Sequence, residues 1–318
     1  MDSSIGILFL GGAKRVSMAR KFKAAAKRRG LEARLYSYEM TREVPVAAEA
    51  EIITGLRWKD PAVTAHIVGL CRERGITAVV PFVDGAVAVA AAVSAAAPGI
   101  FAPTGSAADA EAMFDKVSAA VRFEALGLPV PQTYVPGTPL TFPVIAKPRH
   151  GSASKGIVAI DTDAQLRAFL EEHAADYYLF QHRLDRRREI SADCYVSAAG
   201  NIVAAVPRYR DEVSGGEVSR TTLFHNDAVE ALLRRVLTAT GLRGAVTIQL
   251  IEDLDSHTLY IMEINPRLGG GAVAGVCAGA DLPGFIIDEA MGRPLPATAA
   301  KWADGTVCRY PDEIFFKH

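Results

Sequence analysis

The chain has 318 residues, of which half are hydrophobic and 22% are charged, a composition that excludes the disordered and fibrous classes. Its 35 basic and 36 acidic residues nearly cancel. The charge therefore gives no attraction to nucleic acid or to an anionic membrane, and small molecules are the expected partners. The length predicts two or three packed units.

The chain shows no targeting pattern. The apolar run at residues 5–10 lacks the basic flank and cleavage site of a signal peptide, and the alanine-rich run at 86–97 is too short to span a bilayer. The four cysteines lie far apart and form no CxxC pair, which argues against a zinc site or a disulfide framework. We therefore expect a cytoplasmic protein with reduced thiols.

The first third of the chain alternates strands and helices. Such alternation predicts a parallel sheet with helices on both faces, formed by residues 1 to about 105. Asp84 follows the last of these strands and either lines a cleft or caps the next helix, and capping is the favoured interpretation. The predicted strands are 6–10, 32–38 and 76–81, and the predicted helices are 13–29, 61–74 and one after Asp84.

After about residue 105 the regular alternation of strands and helices ends. A helix is predicted at 107–126, ended by Gly127 and Pro129, and a proline-rich linker follows. Residues 142–181 then read as a strand, a Gly/Ser loop, a strand, a helix and a strand. The last third is rich in strands, with helices at 228–240 and 283–292, and no internal repeat is detected.

Two neighbouring segments carry the signature of a phosphate site. Lys147 lies at the end of an apolar strand, where it suits contact with an anion better than packing in a core. Small residues at 151–156 would let backbone N–H groups approach phosphate oxygens. The alternative is a flexible hairpin with a solvated lysine, and Walker A spacing is absent.

A predicted hairpin near the C-terminus brings oxygen-bearing side chains together. Glu263 and Asn265 are two apart in a strand and project from the same face. If the turn centres near Ser256, Gln249 lies directly opposite Glu263. Such a set suits Mg²⁺, which takes its remaining ligands from water and phosphates, although a polar outer face is the competing interpretation.

An arginine follows this hairpin in a setting typical of anion contact. Arg267 lies after Pro266 and shortly before three glycines, at residues 269–271. A fixed guanidinium beside such a bare backbone suits a carboxylate or a phosphate, whereas the alternative is a loop without function.

Together these motifs resemble the ATP-grasp superfamily, specifically its carboxylate-amine ligases and the large subunit of carbamoyl-phosphate synthase. Each motif is weak alone, but their order and spacing are distinctive. The motifs are Asp115-Lys116, Lys147, the loop at 151–156, Leu179-Phe180-Gln181 and the segment 262–267.

The resemblance implies an α/β protein with the ATP-grasp fold. An N-terminal Rossmann-like (pre-ATP-grasp) domain is expected at residues 1–106, a small α+β lid at 107–182, and a C-terminal α+β domain at 183–318. ATP would lie between the last two.

The resemblance also implies the nucleotide-binding residues. Lys116 and Lys147 would hold the ATP phosphates, and Glu189 would bind the ribose. The loop residues Ser152, Ala153, Ser154 and Gly156 would close over the phosphates, and Gln181, His182, Arg183 and Leu184 would read adenine mainly through backbone groups.

Gln249, Glu263 and Asn265 match the ligands of one or two Mg²⁺ ions in the family, with Mn²⁺ as an acceptable substitute. A glutamine at the first position leaves fewer negative charges, so a second ion would depend more on the nucleotide. Arg267, together with Lys147, would act in catalysis by steadying the transferred phosphoryl group.

Substrate contacts are expected on the far side of the phosphates. Arg208 and Arg210 share a strand face and suit a carboxylate, with Gly269 and Gly270 lining the same subsite. The alternative is a pair of solvent-facing strand arginines.

The implied reaction converts a carboxylate to an acyl phosphate with release of ADP and couples it to an amine. The expected partners are thus a small carboxylate and an amine, without nucleic acid or membrane, and a homodimer is compatible. Carbamoyl-phosphate-synthase-like activation of bicarbonate or carbamate, and nucleotide binding without turnover, are the alternatives.

Overall fold

The computed structural model describes residues 4–134, 138–151 and 155–316. Within these residues the strands form three sheets, one in each successive part of the chain. None of the helices in the described part combines the length and apolar character needed to span a bilayer.

The first sheet is parallel, as the sequence predicts, with strand order β3-β2-β1-β4. Alternating residues of its central strand face opposite sides. Ile7 and Phe9 pack under one layer of helices, whereas Leu8 and Leu10 pack under another. The strands are β1 (Ser4–Leu10), β2 (Glu32–Glu39), β3 (Glu51–Thr54) and β4 (Ile76–Pro81), and the helices are α1 (Val16–Arg28), α2 (Val63–Arg74) and α3 (Asp84–Ala96).

The helix predicted at 107–126 is two helices, α4 (Ala107–Phe114) and α5 (Lys116–Ala125). Asp115 interrupts them because its backbone is extended and its side chain accepts from the N–H groups of Val117 and Ser118. The second helix therefore starts at Lys116, and this break aims the lysine at the neighbouring sheet.

The second sheet is antiparallel, with order β5-β8-β6-β7, and its aromatic core includes Phe169 from α6 and Phe180. It carries Lys147 on a central strand. Its elements are β5 (Thr133–Tyr134), β6 (Val144–Pro148), β7 (Val158–Ile160), α6 (Asp163–Glu172) and β8 (Tyr178–His182).

The third sheet has six antiparallel strands in the order β13-β12-β9-β10-β11-β14. The apolar face of α7 packs on it through Leu233 and Val236, while α8 and α9 join the core that also contains α1. The elements are β9 (Arg187–Val196), β10 (Ile202–Ser214), β11 (Glu217–Leu223), α7 (Asp227–Thr240), β12 (Gly244–Asp253), β13 (Leu259–Asn265), α8 (Val273–Ala278), α9 (Leu282–Ala290) and β14 (Gly305–Cys308). The domain boundaries at 106 and 182 stay predictions.

A close backbone contact joins the first part of the chain to the third sheet. The N–H of Ala245 donates to the carbonyl of Pro103 over 2.9 Å. Gly244 makes this approach feasible because it has a φ of +77° and because a Cβ there would lie 2.2 Å from the Pro103 carbonyl. The absence of a side chain at 244 is thus a packing requirement.

We expect Gly244→Ala to lower the free energy of unfolding by about 3 kcal/mol, since overpacking adds to the strain of a left-handed alanine. Gly241→Ala is the matched control, because Gly241 has a φ of +68° and no atom within 4 Å of an added Cβ. That control should lose only about 1 kcal/mol in urea denaturation. Equal losses in the two variants would show that the Pro103 contact carries no packing constraint.

Candidate functional site

A cleft of about 1390 Å³ lies where the three sheets face one another. Asp84 reaches it from the first sheet, Lys147 from the second, and Glu263 and Arg267 from the third. The cleft therefore collects the chemically distinctive residues of the sequence, although they are far apart along the chain.

The β12-β13 hairpin supplies the oxygen-bearing face of the cleft. Its register pairs Gln249 with Glu263, as the turn position near Ser256 predicts, and pairs Thr247 with Asn265. The register shifts by one residue just beyond Gln249. As a result Met262 lines the cleft beside Glu263, although strict alternation would place these neighbours on opposite faces.

The three predicted metal ligands form one donor set in this hairpin. The amide nitrogen of Asn265 donates to Oε1 of Glu263 over 2.7 Å, and its amide oxygen accepts from Nη2 of Arg267 over 3.4 Å. One carboxylate and two amides supply only oxygen donors, a composition that fits a hard cation bound together with phosphates. In the residues that the structure describes, no cluster of three or more His, Cys, Asp or Glu side chains could hold a metal by itself.

Lys147 is buried next to this donor set. Its ammonium donates to Oε1 of Gln181 over 2.9 Å and lies 3.8 Å from the sulfur of Met262. Burial lowers the pKa of Lys147 to about 8; Glu263 opposes this shift, and Lys116 adds to it. The lysine thus lacks a full counter-charge and is ready to receive an anion.

The side chain of Gln181 is committed to this pair. It accepts from Lys147 and donates to Oγ1 of Thr133 over 3.2 Å. The side chain is therefore engaged within the second sheet, and the adenine contact of Gln181 stays a prediction.

Lys116 lies at the start of α5 and donates to the carbonyl of Gly151 over 2.8 Å. Asp115 and Arg149 form an ion pair next to it. Lys116 thus lies at the base of the loop predicted to cover phosphates. Gly156 lies at the other end of this loop with a φ of +72°, while Ser152, Ala153 and Ser154 lie outside the described residues.

The predicted adenine-reading segment crosses one end of the cleft. His182, Arg183 and Leu184 all line it. The N–H groups of His182 and Arg183 donate to the carbonyls of Gln132 and Pro143, whereas no acceptor within the described part of the chain takes the N–H of Leu184. That group is available to a ligand.

Glu189 and Arg210, predicted to contact ribose and substrate, bind each other. Nε of Arg210 donates to Oε2 of Glu189 over 3.2 Å, and Arg210 also approaches Ser191. The carboxylate of Glu189 is half exposed in the cleft, whereas Arg210 is mostly buried.

Arg267 is paired across the cleft with Asp84. Nε and Nη2 of the arginine both lie 2.5 Å from Oδ1 of the aspartate. The interpretation of Asp84 as a helix cap is wrong, because α3 has no side-chain cap and Asp84 is its first helical residue. The carboxylate of Asp84 instead pairs with Arg267, which follows the end of β13.

Each of the three glycines after Arg267 abuts a different polar side chain. An added Cβ would lie 2.8 Å from Oγ1 of Thr247 at Gly269, 2.8 Å from Cδ of Glu217 at Gly270, and 2.4 Å from Nη2 of Arg208 at Gly271. None of the three has a positive φ. The glycines are therefore required for space and not for backbone conformation.

Arg208 is enclosed beneath Gly271. Its side chain is 2% exposed, and its Nε donates to Oδ2 of Asp193 over 2.7 Å. This enclosure contradicts the solvent-facing alternative for Arg208. Arg208 also lines the cleft, and its Nη1 is buried with no hydrogen-bond partner among the described residues, so its contact with substrate stays a prediction.

Sequence reasoning missed an ionic group at the substrate end of the cleft. Glu217 accepts from Arg15 over 2.8 Å and from Arg309 over 3.0 Å, and these arginines keep the pKa of Glu217 below its usual range although burial opposes them. No motif marks this group, since its members lie on β11, before α1 and after β14. The sequence feature that could have indicated this group is the glycine turn, Gly11-Gly12, shortly before Arg15.

Part of the chain is similar in sequence to known proteins. Residues 176–312 match the family described as "ATP-grasp in the biosynthetic pathway with Ter operon". The alpha subunit of mitochondrial methylcrotonoyl-CoA carboxylase from Arabidopsis thaliana is 27% identical over 179 residues, which are 50% of this chain. The chain spans only 24% of the length of that relative.

Solved structures match over nearly the whole chain. N5-carboxyaminoimidazole synthetase from Staphylococcus aureus, complexed with ADP, has a TM-score of 0.74 at 14% identity, covering 94% of this chain and 80% of that one. Biotin carboxylase from Campylobacter jejuni, in a complex with β-γ-ATP, has a TM-score of 0.74 at 18% identity, covering 96% and 75%. An L-amino acid ligase from Bacillus licheniformis has a TM-score of 0.68 at 16% identity, covering 92% and 75%.

These likenesses concern the fold, and they agree with the order of the sequence motifs. The phosphate-site lysines, the hairpin donor set and the arginine after it all meet in the cleft described above. The chain has the ATP-grasp fold, and its residues 176–312 match an ATP-grasp family.

Proposed function

We propose that this protein uses ATP and Mg²⁺ to convert a carboxylate to an acyl phosphate, releases ADP, and couples the acyl group to an amine. The observation that carries the proposal is the meeting of a buried lysine, an oxygen donor set and a paired arginine in one cleft. Lys147, Glu263 and Arg267 come from different parts of the chain, yet all line it.

The nucleotide is proposed to lie between the second and third sheets. The N–H of Leu184 is free to bind adenine, and Glu189 is open to the ribose. Lys147 and Lys116 are then within the same cleft to bind the phosphates. The covering role of Ser152, Ala153, Ser154 and Gly156 stays a prediction.

Gln249, Glu263 and Asn265 would hold Mg²⁺. The bound ion would neutralise the terminal phosphates of the nucleotide. With one carboxylate in the donor set, the protein supplies little negative charge, so binding of a second ion would rest mainly on the nucleotide. Mn²⁺ fits the same oxygen donors.

Arg267 is proposed to stabilise the phosphoryl group as it moves to the carboxylate. Phosphoryl transfer needs little covalent help, and positive charge placed beside the equatorial oxygens is its main source of catalysis. Asn265 and Asp84 hold the guanidinium in place before substrate arrives. The glycines at 269–271 leave room for the acid next to it.

Several finer points belong to the same proposal. A cytoplasmic location and a homodimer remain predictions. Activation of bicarbonate or carbamate and binding without turnover are the competing outcomes. Release of ADP stimulated by a carboxylic acid separates turnover from simple nucleotide binding.

The reaction is tested by a screen of ADP release over pairs of amino acids, small carboxylates, bicarbonate and amines. Glu263→Gln should lower turnover about 100-fold, because the only carboxylate of the donor set is lost. Glu252→Gln is the matched control, since Glu252 lies on the same hairpin near its turn and contacts His257. Full activity of the Glu263 variant would contradict the metal assignment.

For Arg267→Lys we expect nearly unchanged ATP affinity and turnover reduced about 100-fold, because the planar fork that contacts Asp84 and the phosphoryl oxygens is lost. Affinity is measured by calorimetry, and turnover is measured by ADP release with the best acid from the screen. Turnover equal to wild type would remove Arg267 from the catalytic step.

The low pKa of Lys147 predicts a pH dependence of nucleotide binding. Below about pH 8 Lys147 is charged in the free protein. Above that pH the lysine is neutral, and it must take up a proton when the polyphosphate binds. Affinity for ADP, measured with a chelator present, should therefore fall by up to about tenfold per pH unit above that point. Calorimetry in buffers of different ionisation enthalpy should show proton uptake.

Lys147→Arg is the control for this titration, because a guanidinium keeps its charge throughout the range. Its affinity is expected to be lower than that of wild type but constant with pH. A wild-type profile as flat as that of the variant would mean that Lys147 stays charged in the free protein.

A further inference from the structure

Asp84 presents one occupied and one available oxygen to the cleft. Oδ1 takes both contacts from Arg267, while Oδ2 has no hydrogen-bond partner among residues 4–134, 138–151 and 155–316. The side chain is one third exposed, and it lines the cleft together with Phe82 and Val83. The carboxylate can therefore bind a ligand without giving up the arginine.

The other acids of the cleft occupy different surroundings. None of them pairs with Arg267 within the part of the chain that the structure describes. Their partners are Arg15 and Arg309 for Glu217, Arg210 for Glu189, Thr222 for Asp211, and Asn265 for Glu263. Asp84 is thus the acid that lies against the arginine assigned to the transferred phosphoryl group.

We propose that Oδ2 of Asp84 binds the ammonium group of the nucleophile and so selects a protonated amine over an anionic nucleophile. This inference rests on the proposed function. Although Arg267 compensates the charge of Asp84, the free Oδ2 can accept a hydrogen bond from an ammonium group, whereas it offers no donor to the oxygen of an anion.

The pairing with Arg267 places the amine beside the acyl group. Arg267 holds the phosphoryl oxygens of the acyl phosphate, and Asp84 touches the same guanidinium from the first sheet. A nucleophile bound to Oδ2 therefore lies next to Arg267, and so next to the acyl phosphate that Arg267 holds. Before the reaction the bound ammonium group gives one proton to Oδ2 of Asp84; the amine nitrogen then forms the C–N bond to the acyl carbon, and the bond from that carbon to the phosphate oxygen breaks, with phosphate as the leaving group. Asp84 would thus orient the amine towards the acyl phosphate that Arg267 holds.

The test separates the two half-reactions in the full chain by the charge of the nucleophile. Hydroxylamine is uncharged near neutral pH and captures an acyl phosphate as a hydroxamate, whereas ammonium chloride, methylamine and amino acids are protonated. With the acid that gives the most hydroxamate, Asp84→Asn should raise KM for the protonated amines about tenfold or more. The rate of hydroxamate formation should fall as well, because Asp84 holds Arg267. KM for hydroxylamine, in contrast, should stay within about threefold of wild type, since an uncharged nucleophile needs no ammonium site.

Glu32→Gln is the charge-matched control. Glu32 is exposed at the start of β2, the end of the first sheet away from the cleft, so its loss removes one negative charge without touching the site. It should leave both rates unchanged. Asp84→Glu should restore part of the amine dependence, because the carboxylate is kept.

The outcomes are distinct. An equal change in KM for hydroxylamine and for the amines in Asp84→Asn would mean that Asp84 acts only by holding Arg267, and an unchanged KM for the amines would likewise overturn the proposal. Hydroxamate formation by wild type with no product from any protonated amine would also overturn it. A wild-type protein that forms no hydroxamate with any acid would instead refute the proposed function.

Discussion

The register between β12 and β13 is the constraint on which the site depends. It pairs Gln249 with Glu263 and turns Asn265 to the same side. Because side chains alternate along a strand, a slip of one residue would bury these polar groups in the core and expose Ile264 instead. The neighbouring strand β9 pairs with β12 over its whole length and holds this register in place.

Three arginines of the cleft are paired with acids around that hairpin. Arg267 pairs with Asp84, Arg208 with Asp193, and Arg210 with Glu189. Lys147 and Lys116 differ, since Lys147 donates to an amide and a thioether and Lys116 donates to a backbone carbonyl. A substrate with several negative charges is therefore bound mainly where the protein has left positive charge uncompensated.

Local patterns in the sequence were sufficient for the parallel sheet and for the hairpin. The apolar runs of β1 and β4 and the symmetric position of Ser256 between Gln249 and Glu263 required no distant information. The four-residue edge strands β3 and β14 were missed because segments of this length show no clear period.

Contacts between distant residues explain what the sequence did not reveal. Asp115 breaks a continuous helical pattern while it binds Arg149, which lies 34 residues further on. Arg208 reads as an exposed strand arginine until Asp193 is found on the neighbouring strand. Asp84 reads as a helix cap until Arg267 is placed opposite it, 183 residues away. In each case the partner, and not the local pattern, determines the role.

The glycine triplet after Arg267 has a consequence for how this loop can vary. Since each glycine is fitted to one neighbour, the loop and its surroundings form three separate complementary pairs, with Thr247, Glu217 and Arg208 as the respective members. A related protein with alanine at position 270 would need a shorter or displaced side chain at position 217. The shape of this part of the cleft would thus be expected to evolve through coupled exchanges, one glycine and one neighbour at a time.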